Sequence, residues 1–228
     1  MTELVVWTLL FTIMAYFVCG IPFGYLFSEA FAHVDVRTKG SGNIGATNVA
    51  RSVGKLPSVL TLICDAGKGA LCIVIARYGL AALCFDGDVS ALAYDTVEGT
   101  ALSVVFAGCL LGHIFTPYLH FHGGKGVAVG FGASLALYWP VGLILLVVFV
   151  VFAVPSRYVS LGSVAAAISV PIICLALGFP VVSVLPIIFA AVLVLWAHRE
   201  NIKRLIHGEE NKFSFKKSDK ESSTKKGE

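Results

Sequence analysis

Three polar clusters interrupt an otherwise apolar chain, and each gathers residues able to hold an anion. The first is Lys39-Gly40-Ser41-Gly42-Asn43-Ile44-Gly45-Ala46-Thr47-Asn48-Val49-Ala50-Arg51. Its glycines let the backbone turn tightly. Ser41, Asn43, Thr47 and Asn48 offer donors, and Lys39 and Arg51 bracket the run with fixed positive charge. Successive N–H groups freed by glycine form a concavity that suits phosphate. A polar loop joining two helices is the plainer reading of the same residues. The second cluster, Gly123-Gly124-Lys125-Gly126, brings a lysine close to exposed backbone. It stands directly before an apolar helix, whose N-terminus favours an anion. The third runs from His198 to Lys212. On a helix His198, Asn201 and Ile202 share one face, and neither His198 nor Asn201 is needed to anchor a helix at a membrane. Lys216, Lys217, Lys220, Lys225 and Lys226 read as a basic tail held at anionic lipid.

Other chemistries are excluded by spacing. Gly40-Ser41-Gly42-Asn43-Ile44-Gly45 fits G-x-G-x-x-G, and Asp65 lies near where a dinucleotide fold wants its acid. That fingerprint counts only between a strand and a helix, and both flanks here are long apolar runs. No G-x-x-x-x-G-K-[ST] occurs, no G-x-S-x-G elbow, and no histidine has an aspartate five positions on. His113, His120 and His122 have no Cys or acid at ligand spacing, so they read as histidines of the membrane border and not as a metal site. The six cysteines form no C-x-x-C pair and read as small buried hydrophobes. Asp65 and Lys68 fall inside an apolar run, where ionisable residues pair or work. Their spacing predicts an i,i+3 ion pair. Nothing in the chain points to nucleic acid.

Composition sets the frame for these clusters. Hydrophobic residues make up 57% of the chain and charged residues 14%, against about 25% charged in soluble domains; mean hydropathy is +0.85. The fold class is therefore all-α, a polytopic integral membrane protein. Seven apolar segments stand out, at 4–27, 56–85, 100–119, 127–137, 141–154, 159–177 and 181–197. About 20 apolar residues span a bilayer, so the fourth and fifth segments are short. They leave five or six spans if they form one broken or re-entrant element. Pro22 and Gly24 predict a kink at the inner end of the first segment, which lacks a signal peptide's basic start and cleavage site. Lys and Arg gather at 28–55, at Lys125, at Arg157 and in the tail, and avoid 86–99, 139–140 and 178–180. By the positive-inside rule the N-terminus is outside, the C-terminus cytoplasmic, and all three polar clusters cytoplasmic. Residues 1–212 are expected to form one membrane domain, and 213–228 a disordered basic tail. A transporter would also gather cations on one face, but it should carry charged or broken-helix groups near the midplane.

Ser41-Gly42-Asn43-Ile44-Gly45-Ala46-Thr47-Asn48 with Arg51, then Gly123-Gly124-Lys125-Gly126, then His198 with Asn201-Ile202, Arg204-Leu205, Gly208 and Glu210 resemble three motifs of one family. They match, in order and spacing, the bacterial acyl-phosphate-dependent glycerol-3-phosphate acyltransferases, the PlsY family. The likeness runs from about residue 22 to residue 212. It implies a seven-span enzyme of the bacterial inner membrane with its site facing the cytoplasm. Such an enzyme moves a fatty acyl group from acyl phosphate to the 1-hydroxyl of sn-glycerol 3-phosphate. The products are lysophosphatidic acid and phosphate, and the step opens phospholipid synthesis. On this resemblance the catalytic set is Ser41, Lys125, His198 and Asn201. The substrate phosphates fall to Gly42, Asn43, Gly45, Thr47, Asn48, Arg51, Gly123, Gly124, Gly126, Arg204 and Glu210, with Ser163 of the sixth apolar segment. The implied partners are glycerol 3-phosphate, fatty acyl phosphate, membrane lipid and a soluble enzyme that makes the acyl phosphate. No cofactor is implied. An acyl phosphate is an activated mixed anhydride, so positioning and charge stabilisation can carry the reaction. The substrate's own phosphate can take the proton. His198 is the candidate for positioning the acceptor, or for base work if a protein base acts.

Overall fold

The computed structural model describes residues 2–213, and the Lys-rich tail predicted from sequence lies outside them apart from Phe213. Every apolar segment is helical, and no strand occurs among the described residues. The first segment forms two helices, α1 (Thr2–Gly20) and α2 (Phe23–Ala32). Pro22 lacks an N–H and disfavours helix in the residue before it, so the chain breaks at Ile21. Side chains from other segments satisfy the carbonyls freed there. The Thr116 hydroxyl donates to the Gly20 carbonyl at 2.6 Å, and the Lys68 ammonium donates to the Ile21 carbonyl at 2.7 Å. The glycine-rich loop then leads into α3 (Ala46–Ser52) and the long α4 (Lys55–Cys84). After these come α5 (Thr100–Ile114), α6 (Val127–Leu137), α7 (Trp139–Ser156), α8 (Val159–Ala176), α9 (Val181–Ala197) and α10 (Arg199–Ile206).

Five stretches are long and apolar enough to cross a bilayer: Thr2–Ala32, Lys55–Cys84, Thr100–Leu119, Trp139–Ser156 and Val159–Ala176. A sixth is α9 taken together with α10, bent by 59° between them. The remaining apolar helix, α6, has 11 residues. At 1.5 Å per residue it is ~16 Å long, about half the hydrocarbon thickness. Its last carbonyls do not need to reach water. Those of Ala136 and Leu137 accept from Arg77 of α4 at 3.0 and 2.6 Å, which accounts for a cation inside the second apolar segment.

α5 is the central post. It packs against α1, α4, α6 and α9 and is buried along nearly its whole length. Apolar lipid gives no hydrophobic drive for helix association, so close approach of backbones must supply it. Small residues make that approach possible: a Cβ at Gly132 of α6 would fall 1.9 Å from the Ala66 carbonyl oxygen of α4. The cysteines, scattered in sequence, meet in space. The sulfurs of Cys19, Cys72 and Cys109, from α1, α4 and α5, lie within 4.8 Å of one another and fill a buried seam. On the outside, Val147, Val151 and Val154 of α7 are exposed at helical spacing, as a lipid-facing stripe should be. The predicted Asp65–Lys68 ion pair is present at 2.7 Å.

Gly132→Ala should force α4 and α6 apart. The expected loss is about 1–3 kcal/mol, the usual cost of overpacking a tight interface. Thermal unfolding in detergent reads it, with a lowered midpoint expected and an unchanged one counting against this packing.

Candidate active site

The first polar loop is held together by one side chain. The Asn48 carboxamide is buried; its Nδ2 donates to the carbonyls of Val36, Lys39 and Asn43 at 3.1, 3.0 and 2.8 Å, and its Oδ1 accepts the Ser41 N–H at 3.0 Å. Asn43 accepts the Gly45 N–H at 2.8 Å, and the Gly42 N–H donates to the Lys39 carbonyl at 2.9 Å. Gly40 and Gly42 take left-handed backbone angles that a side chain would strain. The amides of Ser41, Gly42 and Gly45 are thus spent within the loop, and the Asn48 carboxamide is its scaffold. The hydroxyls of Ser41 and Thr47 have no partner among the described residues, and they and the Arg51 guanidinium border the cleft.

The second loop is tied down in the same way. The N–H groups of Gly123 and Gly124 donate to the carbonyls of Ile114 and His113 at 3.0 and 3.1 Å, zipping the loop to the end of α5. Gly126 caps α6 with a left-handed φ of 79°. The first turn of α6 contributes Val127 and Ala128 to the cleft wall, where unpaired helix amides favour an anion. Lys125 reaches across instead. Its ammonium donates to Asn201 Oδ1.

The third cluster closes the site around Glu210. Asn201 Nδ2 donates to Glu210 Oε1 at 2.7 Å, the Ser160 hydroxyl donates to the same oxygen at 2.9 Å, and Arg204 Nε donates to Oε2 at 2.8 Å. Glu210 therefore anchors the Arg204 guanidinium and the Asn201 amide. It reaches this place because α10 ends at Ile206 and is followed by Gly208, whose left-handed turn (φ 72°) lets the Glu209 N–H return to the Arg204 carbonyl at 2.8 Å. The segment that follows lines the cleft with Asn211 and Phe213. The Phe213 N–H donates to the Arg157 carbonyl at 2.8 Å, so Phe213 belongs with the site and not with the tail. Lys203 turns away to pair with Glu200 at 3.2 Å, so it does not act with Arg204.

His198 sits at the α9–α10 bend and is 2% exposed. Its Nδ1 lies 2.8 Å from the Val194 carbonyl oxygen. A carbonyl only accepts, so Nδ1 carries the proton and Nε2 is left as an acceptor. Burial pushes the Lys125 ammonium down to about 8, opposed by Glu210 and reinforced by repulsion from Arg204 and Arg51. Burial alone would raise the Glu210 carboxyl, but hydrogen bonds from Arg204, Asn201 and Ser160 outweigh it and hold it below the usual carboxylate range.

These groups share one cavity of about 710 Å³. Of the residues singled out from sequence, all but Gly42, Gly123 and Gly124 line it; those three line a neighbouring hollow of about 370 Å³ behind the Lys125 loop. Ser163 borders the cavity from α8 with its hydroxyl donating to the Val159 carbonyl at 2.9 Å. Phe131, Leu145, Phe149 and Val170 carry the wall away from the charges into the apolar bundle. Contributors not singled out for the site include Ser160, Phe213, Asp65 and His113. His113, read from sequence as a residue of the membrane border, is 5% exposed inside the bundle. α5 carries it inward to face α4, and no local spacing signals that.

The fold and the cleft define a class first: a helical integral membrane protein with a cationic, phosphate-suited site opening onto an apolar groove. The comparisons narrow it. The family described as Glycerol-3-phosphate acyltransferase matches residues 9–208. A glycerol-3-phosphate acyltransferase of Endomicrobium trichonymphae is 42% identical over 92% of this chain and 98% of its own length. That of Carboxydothermus hydrogenoformans is 38% identical, with the same coverage of each chain. Two crystal structures of PlsY (YgiH), an integral membrane glycerol 3-phosphate acyltransferase, are each 34% identical to this chain and cover 91% of it. The glycerol 3-phosphate form has a TM-score of 0.79 over 96% of its chain, and the lysophosphatidic acid form 0.77 over 95%. The chain belongs to the glycerol-3-phosphate acyltransferase family, and it is a membrane enzyme of phospholipid synthesis.

The lowered Lys125 value is open to direct test. The rate at which an amine-reactive reagent labels Lys125 should rise through a midpoint near pH 8. Glu210 favours the charged form, so Glu210→Gln should move that midpoint to lower pH. A midpoint above 10 in the unmodified protein would count against the buried placement of this amine.

Proposed function

We propose that this chain transfers a fatty acyl group from acyl phosphate to the 1-hydroxyl of sn-glycerol 3-phosphate, in the cleft bounded by Ser41, Arg51, Lys125, His198, Asn201 and Arg204. The observation that carries the reading is the division of one cavity into a cationic end and an apolar groove. A substrate that is phosphate at one end and hydrocarbon at the other meets both. The glycerol 3-phosphate and lysophosphatidic acid forms of the related structures support the same acceptor and product.

In this reading Arg51 and Arg204 hold phosphate, and a guanidinium can do so through paired donors. Ser41 and Thr47 add hydroxyl donors at the rim. The glycerol 1-oxygen attacks the acyl carbonyl carbon. The bond from that carbon to the phosphate oxygen breaks, and its electron pair leaves with phosphate. Lys125 lies where negative charge develops and stabilises it in a site partly closed to water. His198 Nε2 accepts the hydrogen bond of the attacking hydroxyl and orients it. The proton passes to the departing phosphate. Asn201 fixes Lys125 on one side and Glu210 on the other. No cofactor enters this scheme. The charge asymmetry of the loops supports a bacterial inner-membrane location with the cleft on the cytoplasmic side, where a soluble enzyme could supply acyl phosphate.

The purified protein, given acyl phosphate and glycerol 3-phosphate, should form lysophosphatidic acid and inorganic phosphate in equal amounts. Lys125→Ala should lower kcat by ~100-fold or more, the usual loss for a charge-stabilising donor, while the protein stays folded. Wild-type turnover by that variant would sink the placement of the site. The orientation has its own test. With the six native cysteines replaced, an impermeant thiol reagent applied to intact cells should label a cysteine at position 90 and spare cysteines at 41, 125 and 198. Labelling at 41 or 125 would reverse the assignment.

A further inference from the structure

Asp65, Lys68 and His113 are 3%, 5% and 5% exposed inside an apolar bundle, and the reaction just described uses none of them. Ionisable groups so placed are costly to retain and need a reason. Lys68 has one, since it bonds the Ile21 carbonyl at the α1–α2 break and pairs with Asp65. Neutralising Lys68 would be a sufficient account of Asp65 if the carboxylate faced nothing else. It does face something else. His113 Nδ1 stands 3.9 Å from the same Asp65 oxygen that meets the ammonium. No donor is aligned for a hydrogen bond to that oxygen, although it is fully buried. Its remaining acceptor capacity is therefore open to the imidazole.

The other edge of the imidazole meets the lysine loop. A Cβ at Gly124 would fall 2.1 Å from His113 Nε2, so the ring is the surface on which Gly124 rests. The Gly124 N–H donates to the carbonyl of His113 itself, and the Gly123 N–H to that of Ile114. The next residue is Lys125. Asp65 and His113 both border the catalytic cavity. A chain of contact thus runs from a carboxylate on α4, through an imidazole on α5, to the backbone that presents the lysine.

We propose that Asp65 and His113 are positioning residues that set the place of Lys125 from beneath its loop. This rests on the reading that Lys125 serves the reaction. A carboxylate beside Nδ1 favours the tautomer with its proton on that nitrogen and holds the ring plane. Nε2 then stays unprotonated against Gly124, and the loop has one seat. With Asp65 neutral the ring loses that constraint, and Lys125 drifts from its place at Asn201. Misplacement of a catalytic group by about 1 Å costs up to ~100-fold in rate.

The test must separate this role from simple charge balance. Asp65→Asn alone leaves Lys68 buried without a counter-charge and destabilises the fold whatever else Asp65 does. Asp65→Asn with Lys68→Gln removes both charges, which restores electrical balance in the bundle, and keeps an amide donor for the Ile21 carbonyl. The double variant is expected to unfold in detergent close to the wild-type temperature. Its kcat should be ~10- to 100-fold lower, with KM for both substrates within about 3-fold. His113→Gln, which keeps a polar side chain but not the ring, should show the same split. Wild-type kcat in either variant would overturn the proposal. So would a fall in unfolding temperature that tracks the fall in kcat in both, because the network would then serve the fold alone. Lys125→Ala keeps the two readings apart. If it is inactive while the double variant turns over normally, the active site stands and only the positioning role falls.

Discussion

The Glu210 carboxylate is the constraint on which the cleft depends. Arg51, Lys125 and Arg204 all border one cavity, and like charges gathered in one place repel, most of all at the partly buried Lys125 ammonium. One carboxylate answers them. It binds Arg204 directly and reaches Lys125 through Asn201, while Ser160 fills its remaining acceptor site. The chemistry of the amide makes this relay directional. Asn201 must turn its oxygen to the ammonium and its nitrogen to the carboxylate, so the two charges fix the side chain that separates them. The same relay ties together three stretches far apart in sequence: the loop before α6, the start of α8, and the turn after α10. Under the proposed reaction, a phosphate entering the cleft meets cations already in place.

The glycine-rich loops are rigid mounts. The amides of Ser41, Gly45, Gly123 and Gly124 are taken by Asn48, Asn43, Ile114 and His113, and the loop side chains are left to meet a ligand. This division has a consequence for selectivity. Backbone nests hold any compact anion, whereas three long cations at different points of a cavity fit a substrate whose charges are spaced to match. Most of the recognition in the proposed reaction then falls to Arg51, Arg204 and Lys125, with the hydroxyls of Ser41 and Thr47 at the rim.

Much of this architecture was legible in the sequence because it is written in local signals. Seven apolar runs became seven helical stretches, Pro22 broke the first where its missing N–H requires, and Asp65 paired with Lys68 one turn on. The three polar clusters converged on one cavity as their chemistry suggested. What could not be read depends on contacts between segments. Nothing near Arg77 says that it caps α6 from another helix, and nothing near His113 says that α5 turns it inward. Nor does the spacing of Cys19, Cys72 and Cys109 say that their sulfurs share a seam. Hydrogen-bond spending was equally hidden. Glycines advertise free amides, but whether a loop uses those amides itself depends on acceptors such as the His113 carbonyl, ten residues before Gly123.

α6 explains how a membrane protein can bring these parts to one place. A helix that spans a bilayer needs about 20 residues. α6 has about half that length, and Arg77 relieves its far end of the need to reach a polar border. Lys125 and Phe131 are then separated by less than two helical turns, one at the cationic end of the cavity and the other on its apolar wall. Under the proposed reaction an acyl carbonyl must lie between a phosphate and a hydrocarbon chain, and the protein must therefore change from polar to apolar over the same short distance. The shortened helix provides that change. It sets the ammonium beside the bond that breaks while the groove walled by Leu145, Phe149 and Val170 continues into the bundle. Charge stabilisation and lipid access are consequences of one helix stopping early.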